Sequence, residues 1–195
     1  MPRYRGPKDK LSRREGVDIF GKGEKLKRLG VPPGGLRKRK KMSEYGLQLR
    51  EKQKAKRIYG LRETQFKNYV NEAREQKGNT GEALISMLEK RLDNVVYRLG
   101  FAKSRPAARQ LVTHKHIKVN GQTVYAPGYI VKKGETIQPD DTITNTPNFK
   151  EALEERKDLV PWLERQGTVG RVKDDPSLEN YPEQVEPLRI IEFYY

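Results

Sequence analysis

Few residues in this chain have the types and spacing that chemistry needs. The stretch GVDIFGKG, Gly16 to Gly23, nearly matches a phosphate-binding loop of the form Gly-x4-Gly-Lys. Gly23 stands where a Ser or Thr must hold magnesium, and the preceding KLSRRE is not the buried strand such a loop follows. His114 and His116 are the only histidines, and on an extended segment they point the same way. A metal site needs three or four ligands, and there is no further His and no Cys to supply them. Carboxylates are plentiful, but none forms a nucleophile, base and orienter set. Neither catalysis, a metal nor a cofactor is expected, and disulfides are excluded.

What remains is anion binding. Arg91, Arg98, Arg105 and Arg109 are expected to rim a helix pair, with Lys115 and Lys118 continuing along the turn and strand that follow. Residues 98–118 contain no Asp or Glu, so this unit is expected to seek an anion it does not carry. Guanidinium forks match phosphate oxygens, and fixed helices hold them at low entropic cost.

The elements that must position these cations follow from periodicity. Residues 1–43 show no period and read as an irregular basic arm ending in PPGGLRKRKKMS. Ser43 caps a helix from Glu44 to about Tyr59, stopped by Gly60. A second helix fits 62–77, and Thr80 caps a third. In that third helix Leu84, Ile85, Leu88, Leu92, Val95, Val96 and Leu99 share one stripe, with Arg91 and Arg98 at its edge and Gly100 closing it. Ser104 caps the next helix, where Arg105 and Arg109 are one turn apart. Asn120-Gly121 marks a hairpin, and YIVKKGETI supplies two more strands around Gly134. Residues 84–138 thus read as a helix pair plus a small antiparallel sheet. Phe149–Gln166 reads as helical in parts, broken at Pro161, and the final PLRIIEFYY as a docked strand or extended segment.

Charge is distributed unevenly. The net charge is +15, made of +11 in residues 1–43, +9 in 44–140 and −5 in 141–195. Hydrophobic residues are 34% and charged residues 34%, against about a quarter charged in ordinary domains, so the core does not cover the whole chain. The basic front and middle point to a polyanion. The absence of a signal-like or membrane-length apolar run leads to the expectation of a soluble, cytoplasmic protein. No recognition helix joins a dimerisation element, so folded RNA is favoured over DNA.

The segment LEKRLDNVVYRLGFAKSRPAARQLVTHKHIKVNG resembles the RNA-binding module named after the fourth protein of the ribosomal small subunit. RYRGP, SRREG, PPG and SEYGLQLREKQKAKRIYGL extend the resemblance to that ribosomal protein family itself, in a cysteine-free form. The resemblance implies an α+β fold: a basic arm (1–43), a discontinuous helical domain (44–83 with 150–195) and the inserted module (84–149). It implies a structural constituent of the small subunit, not an enzyme, that binds the 5′-domain junction of small-subunit ribosomal RNA, nucleates assembly and influences decoding accuracy. Implied partners are neighbouring proteins, notably the fifth of the small subunit, and messenger RNA where it enters; some members repress their own operon.

Implied RNA contacts are Arg3, Tyr4, Arg5, Arg13 and Arg14 in the arm. Lys40, Lys41, Ser43, Tyr45, Gln48, Lys52, Gln53 and Arg57 follow around the first long helix. In the module they are Arg91, Ser104, Arg105, Arg109, His114 and His116. Many relatives carry a zinc cluster whose first two cysteines fall where this chain has Asp9 and Ser12. They also often continue PPG with Gln-His-Gly, where Gly35, Leu36 and Arg37 stand here.

Overall fold

A computed structural model describes residues 4, 6–23, 26, 28–34, 42–155, 159–183 and 185–195. In chain order the described residues form α1 (Lys8–Glu15), α2 (Glu44–Ile58), α3 (Glu63–Glu75), α4 (Thr80–Glu89), α5 (Leu92–Arg98) and α6 (Arg105–Thr113). Then come β1 (Ile117–Val119), β2 (Gln122–Thr123), β3 (Thr136–Pro139), α7 (Asp141–Thr144), α8 (Pro147–Glu155), β4 (Leu163–Gln166), β5 (Val169–Val172) and α9 (Pro187–Phe193). They divide into two compact units, Met1–Glu63 with Glu183–Tyr195, and Thr64–Pro182.

In the first unit, α2 begins as its sequence dictates. The Ser43 hydroxyl accepts from the Gly46 N–H at 3.3 Å, Glu44 faces the positive end of the helix dipole, and Gly60 leaves with φ 62°. Two readings are corrected here. The arm is not irregular throughout, because α1 forms within it. That helix has no apolar stripe and is held by buried polar groups, Ser12 accepting from the Ile19 N–H and Glu15 pairing with Arg50 and Arg57. The C-terminal segment is a helix, not a strand. Its Ile-Ile and aromatic content favours extended chain, but Pro187 is preset for a first helical turn, and α9 packs on α2 with Ile190 and Ile191 buried.

The second unit carries the core. All seven apolar residues of the stripe from Leu84 to Leu99 are buried, yet they are divided between two helices, Leu99 capping the second, where the sequence suggests one. Asn79, not Thr80, caps α4, accepting from the Gly81 and Glu82 N–H groups. The chain then breaks at Arg91, whose ψ of 135° is extended. Residues 127–131 fill the gap: the carbonyls of Tyr129 and Pro127 accept from Leu92 and Asp93, and Val131 donates to Lys90. Helix α5 ends in the expected glycine, Gly100 at φ 77°, with Gly100 N–H to the Tyr97 carbonyl and Phe101 N–H to Val96.

The Asn120-Gly121 turn forms as read. Val119 pairs with Gln122 across two residues of positive φ, 48° and 81°. The second expected hairpin does not form, since Ile130 makes only an isolated bridge to Arg91 and only β3 is a strand. Instead the sheet has antiparallel order β2-β1-β3-β5-β4, and Leu163–Gln166, at the end of the span read as helical in parts, is its edge strand β4, while the front of that span lies in α8. Recruitment of β4 and β5 explains why this unit runs to Pro182, whereas the sequence-based division is at 149/150. Helices α5 and α6, α8 and the sheet enclose one cluster including Leu92, Val96, Leu99, Phe101, Val112, Ile117, Ile137, Phe149, Trp162 and Val172.

Gly170 on β5 crosses directly over Leu99, and a Cβ there would overlap both Leu99 methyl groups. Leu99 is fully buried. Gly170→Ala is therefore expected to destabilise the protein by about 1–3 kcal/mol, the usual cost of overpacking a filled core, read as a lower urea midpoint with an unchanged slope.

Candidate nucleic-acid interface

Two buried carboxylates organise the cationic helix pair. Glu89, 2% exposed, accepts both Arg98 Nε and Nη2 at 2.9 and 2.8 Å, and its Oε2 also accepts from Asn94 Nδ2 at 3.1 Å. Asn94 turns its Oδ1 outward to accept Arg105 Nε at 2.9 Å. Asp93 takes Arg91 as a two-pronged partner at 3.1 and 2.8 Å, and its Oδ2 also accepts Arg109 Nη1 at 3.1 Å. Tyr69 accepts Arg91 Nη1 at 2.6 Å. Burial by itself would lower the Arg91 pKa, but Asp93 and Tyr69 outweigh it and raise the value above that of an ordinary arginine.

This arrangement corrects the expected rim. Arg91 and Arg98 are 2% and 7% exposed, so they are internal partners and not surface phosphate ligands. The local shortage of acid is also only apparent, since Glu89 and Asp93 lie just before the acid-free window. On one continuous helix Glu89 and Arg98, nine residues apart, would project about half a turn apart. The break at Arg91 is what lets them meet.

The outer part of the set does come together. Arg105 lies half-buried on α6 with its guanidinium 4.5 Å from the Tyr97 ring, and Arg109 sits one turn on. Ser104 occupies the N-cap position without a side-chain capping bond. His114 and Lys115 are exposed beyond the helix end and His116 is half-buried, the two imidazole centroids 6.3 Å apart. Lys118 lies on the outer face of β1, 3.5 Å from Asp140. Sequence reasoning missed Glu89, Asp93, Asn94 and Tyr97. The available signal was two acids and an amide set within an apolar stripe, where polar groups need partners.

In the first unit several of the expected contacts are engaged within the protein. Lys52 is 5% exposed, its Nζ 2.7 Å from Glu63 Oε1 and 4.1 Å from the Phe193 ring centroid. Arg57 pairs with Glu15; burial pushes the Glu15 carboxyl up and the Arg57 guanidinium down, and the pairing opposes both. Arg13 donates to the carbonyls of Val31 and Pro32 at 2.7 and 3.2 Å. Gln48 donates to Glu192 at 3.3 Å, and Gln53 is half-buried. Tyr4, Arg14 and Tyr45 are exposed, while Ser43 serves as the α2 cap. Arg3, Arg5, Lys40 and Lys41 lie outside the described residues. Among the described residues no group of three potential ligands could hold a metal, and no helix is long and apolar enough to cross a membrane.

Comparison with known proteins places this geometry. Residues 3–89 match the family model described as ribosomal protein S4/S9 N-terminal domain, and residues 90–137 match that of the S4 domain. The protein called small ribosomal subunit protein uS4 in Caldicellulosiruptor bescii is 47% identical over 206 residues, covering 100% of this chain and 99% of that protein.

The chain belongs to the uS4 family.

Relatives of the same name in Halothermothrix orenii, 47% identical over 206 residues, and Pseudomonas aeruginosa, 45% over 204, also cover 100% of this chain and 99% of their own lengths. The family consists of ribosomal structural proteins and not enzymes. Its two matched models meet at residues 89 and 90, the point where α4 gives way to α5 and the Glu89–Arg98 pair bridges the break.

Removing Glu89 would leave Arg98 buried without its carboxylate. Glu89→Ala is expected to cost about 3–5 kcal/mol, measured by urea unfolding. A second expectation concerns Glu63, whose carboxylate accepts from Lys52, Lys56 and Tyr194 at 2.7, 2.7 and 2.9 Å. Burial alone would raise its pKa, but these bonds outweigh burial and hold it at about 2, below the ordinary 4.5. A depressed carboxylate stabilises the fold above its unfolded pKa, and that contribution fades as pH falls from 4.5 toward 2. Glu63→Gln is expected to lower stability at pH 7 and to flatten that part of the pH–stability curve.

Proposed function

We propose that this chain binds small-subunit ribosomal RNA as a structural component of the small subunit, through α6 and the turn after it. The observation that carries the reading is the setting of Arg105 and Arg109. Each is pinned from beneath, by Asn94 Oδ1 and by Asp93 Oδ2, at 2.9 and 3.1 Å. Each pin fixes the orientation of a guanidinium on α6, and the guanidinium fork is the group that suits phosphate oxygens. Arg91 and Arg98 serve this surface by placing the carboxylates, and Ser104, His114, Lys115 and His116 extend it along the chain.

The finer reading follows the family resemblance. The RNA site is the multi-helix junction of the 5′ domain, bound early so that binding nucleates assembly. The neighbours are the fifth small-subunit protein and the messenger where it enters, with an influence on accuracy. A basic arm, a helical domain and an inserted module are the functional parts, and the location is the cytoplasmic ribosome. Repression of the protein's own operon would use the same surface on a messenger fold that imitates the junction. Among the first-unit residues, the exposed Tyr4, Arg14 and Tyr45 are the contacts we retain; Arg3, Arg5, Lys40 and Lys41 belong to the same proposal.

Titration of the purified protein against the 5′-domain junction, beside a folded unrelated RNA of equal length at the same salt, tests the proposal. A preference of about a hundredfold, or about 2.7 kcal/mol, is expected. Neutralising six to ten phosphates gives a slope of log K against log salt of roughly −5 to −9. Equal affinity for both RNAs, or a slope near zero, would overturn the reading.

A further inference from the structure

An exposed aromatic ring stands beside the residue that follows α6. Tyr125 follows β2 and is 66% exposed. The ladder pairs Lys118 with Thr123, and the Val124 N–H to Ile117 carbonyl bond at 3.0 Å carries the register one step further. That sets Tyr125 opposite His116 on the outer face of the hairpin, away from the buried Ile117 and Val119. The residue before it, Val124, is tied to β1 by that bond, one position from the exposed ring.

Its neighbour Lys115 is unusual in a second way. It ends α6 at φ 68°, with its N–H on the Val112 carbonyl and the His116 N–H on that of Leu111. This is the position at which helices place glycine, because a left-handed backbone strains any residue with a Cβ. A lysine there brings no packing in return, since it is exposed. Its ammonium lies 5.9 Å from the Tyr125 ring centroid, at the outer limit of a cation–π contact, so it can turn to another anion. Strain kept where packing gains nothing points to use.

We infer that Tyr125 and Lys115 form one RNA contact: an unpaired nucleobase stacks on the Tyr125 ring while the Lys115 ammonium meets its phosphate. An aromatic face next to a cation is what a splayed-out nucleotide requires, and every base offers a π face. Lys118 across the hairpin is already engaged by Asp140, which leaves Lys115 as the cation for that phosphate. The inference rests on the RNA reading above and adds to it a recognition of unpaired bases.

The test uses the full chain with two RNAs, the 5′-domain junction and a fully paired duplex of equal length. Tyr125→Ala is expected to bind the junction about tenfold more weakly, with duplex affinity and salt slope unchanged, while Tyr125→Phe stays within about twofold of wild type. Lys115→Gly is expected to melt at a higher temperature than wild type, yet to bind the junction more weakly with a salt slope reduced by about one. The double variant Arg105→Ala/Arg109→Ala separates the two levels of the argument. If it weakens junction binding while Tyr125→Ala does not, the RNA reading stands and the stacking site is wrong. If neither affects binding, the RNA reading itself fails. Equal weakening of junction and duplex by Tyr125→Ala would also overturn base stacking, as would loss of a protein neighbour from assembled subunits with RNA affinity intact.

Discussion

The pairing of Glu89 with Arg98 across a broken helix is the interaction on which the second unit depends. Both side chains are withdrawn from water, and such a pair is tolerable only when its geometry is good and its remaining polar atoms are satisfied. Here both conditions hold. The carboxylate receives two guanidinium bonds and the Asn94 amide, and the same amide then reaches outward to Arg105. Burying charge gains little stability by itself. What it secures is a unique angle between α4 and α5, and thereby a fixed position for the surface built on α5 and α6.

Internal charge in this protein thus sets the direction of external charge. Asp93 repeats the device, gripping Arg91 beneath the surface and Arg109 at it. A guanidinium held by a buried carboxylate or amide has already lost part of its side-chain freedom, which lowers the cost of ordering it further. In the first unit the same residue types serve differently. Lys52 and Arg57 bind Glu63 and Glu15, and their task is to fasten α1, α2 and α9 to one another. A chain with a net charge of +15 therefore uses a good part of its cations as structural members.

How much of this could be read in advance varies with the range of the interaction. The cap at Ser43, the Asn120-Gly121 turn and the Gly100 stop are decided by side chains within a few residues, and they form as read. The stripe from Leu84 to Leu99 correctly named core residues because burial follows periodicity whether or not the helix bends. The bend itself was illegible: it depends on carbonyls of residues 127 and 129, which meet the start of α5 only after the hairpin has folded back. The C-terminal helix failed for a similar reason, since Ile190, Ile191 and Phe193 prefer extended chain until α2 offers them a surface. Among the expected site residues, Arg105, Arg109, His114 and Lys115 lie on α6 and just beyond its end, whereas Arg91, Arg98 and Lys52 are buried.

By itself the sequence determined the class of partner, the absence of a recognisable catalytic constellation, and the caps and turns at Ser43, Gly100 and Asn120-Gly121, because charge balance, residue inventory and short-range hydrogen bonding need no third dimension. Motif order carried the family. Only the tertiary structure decided which cations face outward. A guanidinium on a helix edge can turn to solvent or to a buried carboxylate, and the choice rests on whether residues nine positions apart are brought within hydrogen-bonding distance by a break in the helix that lies between them.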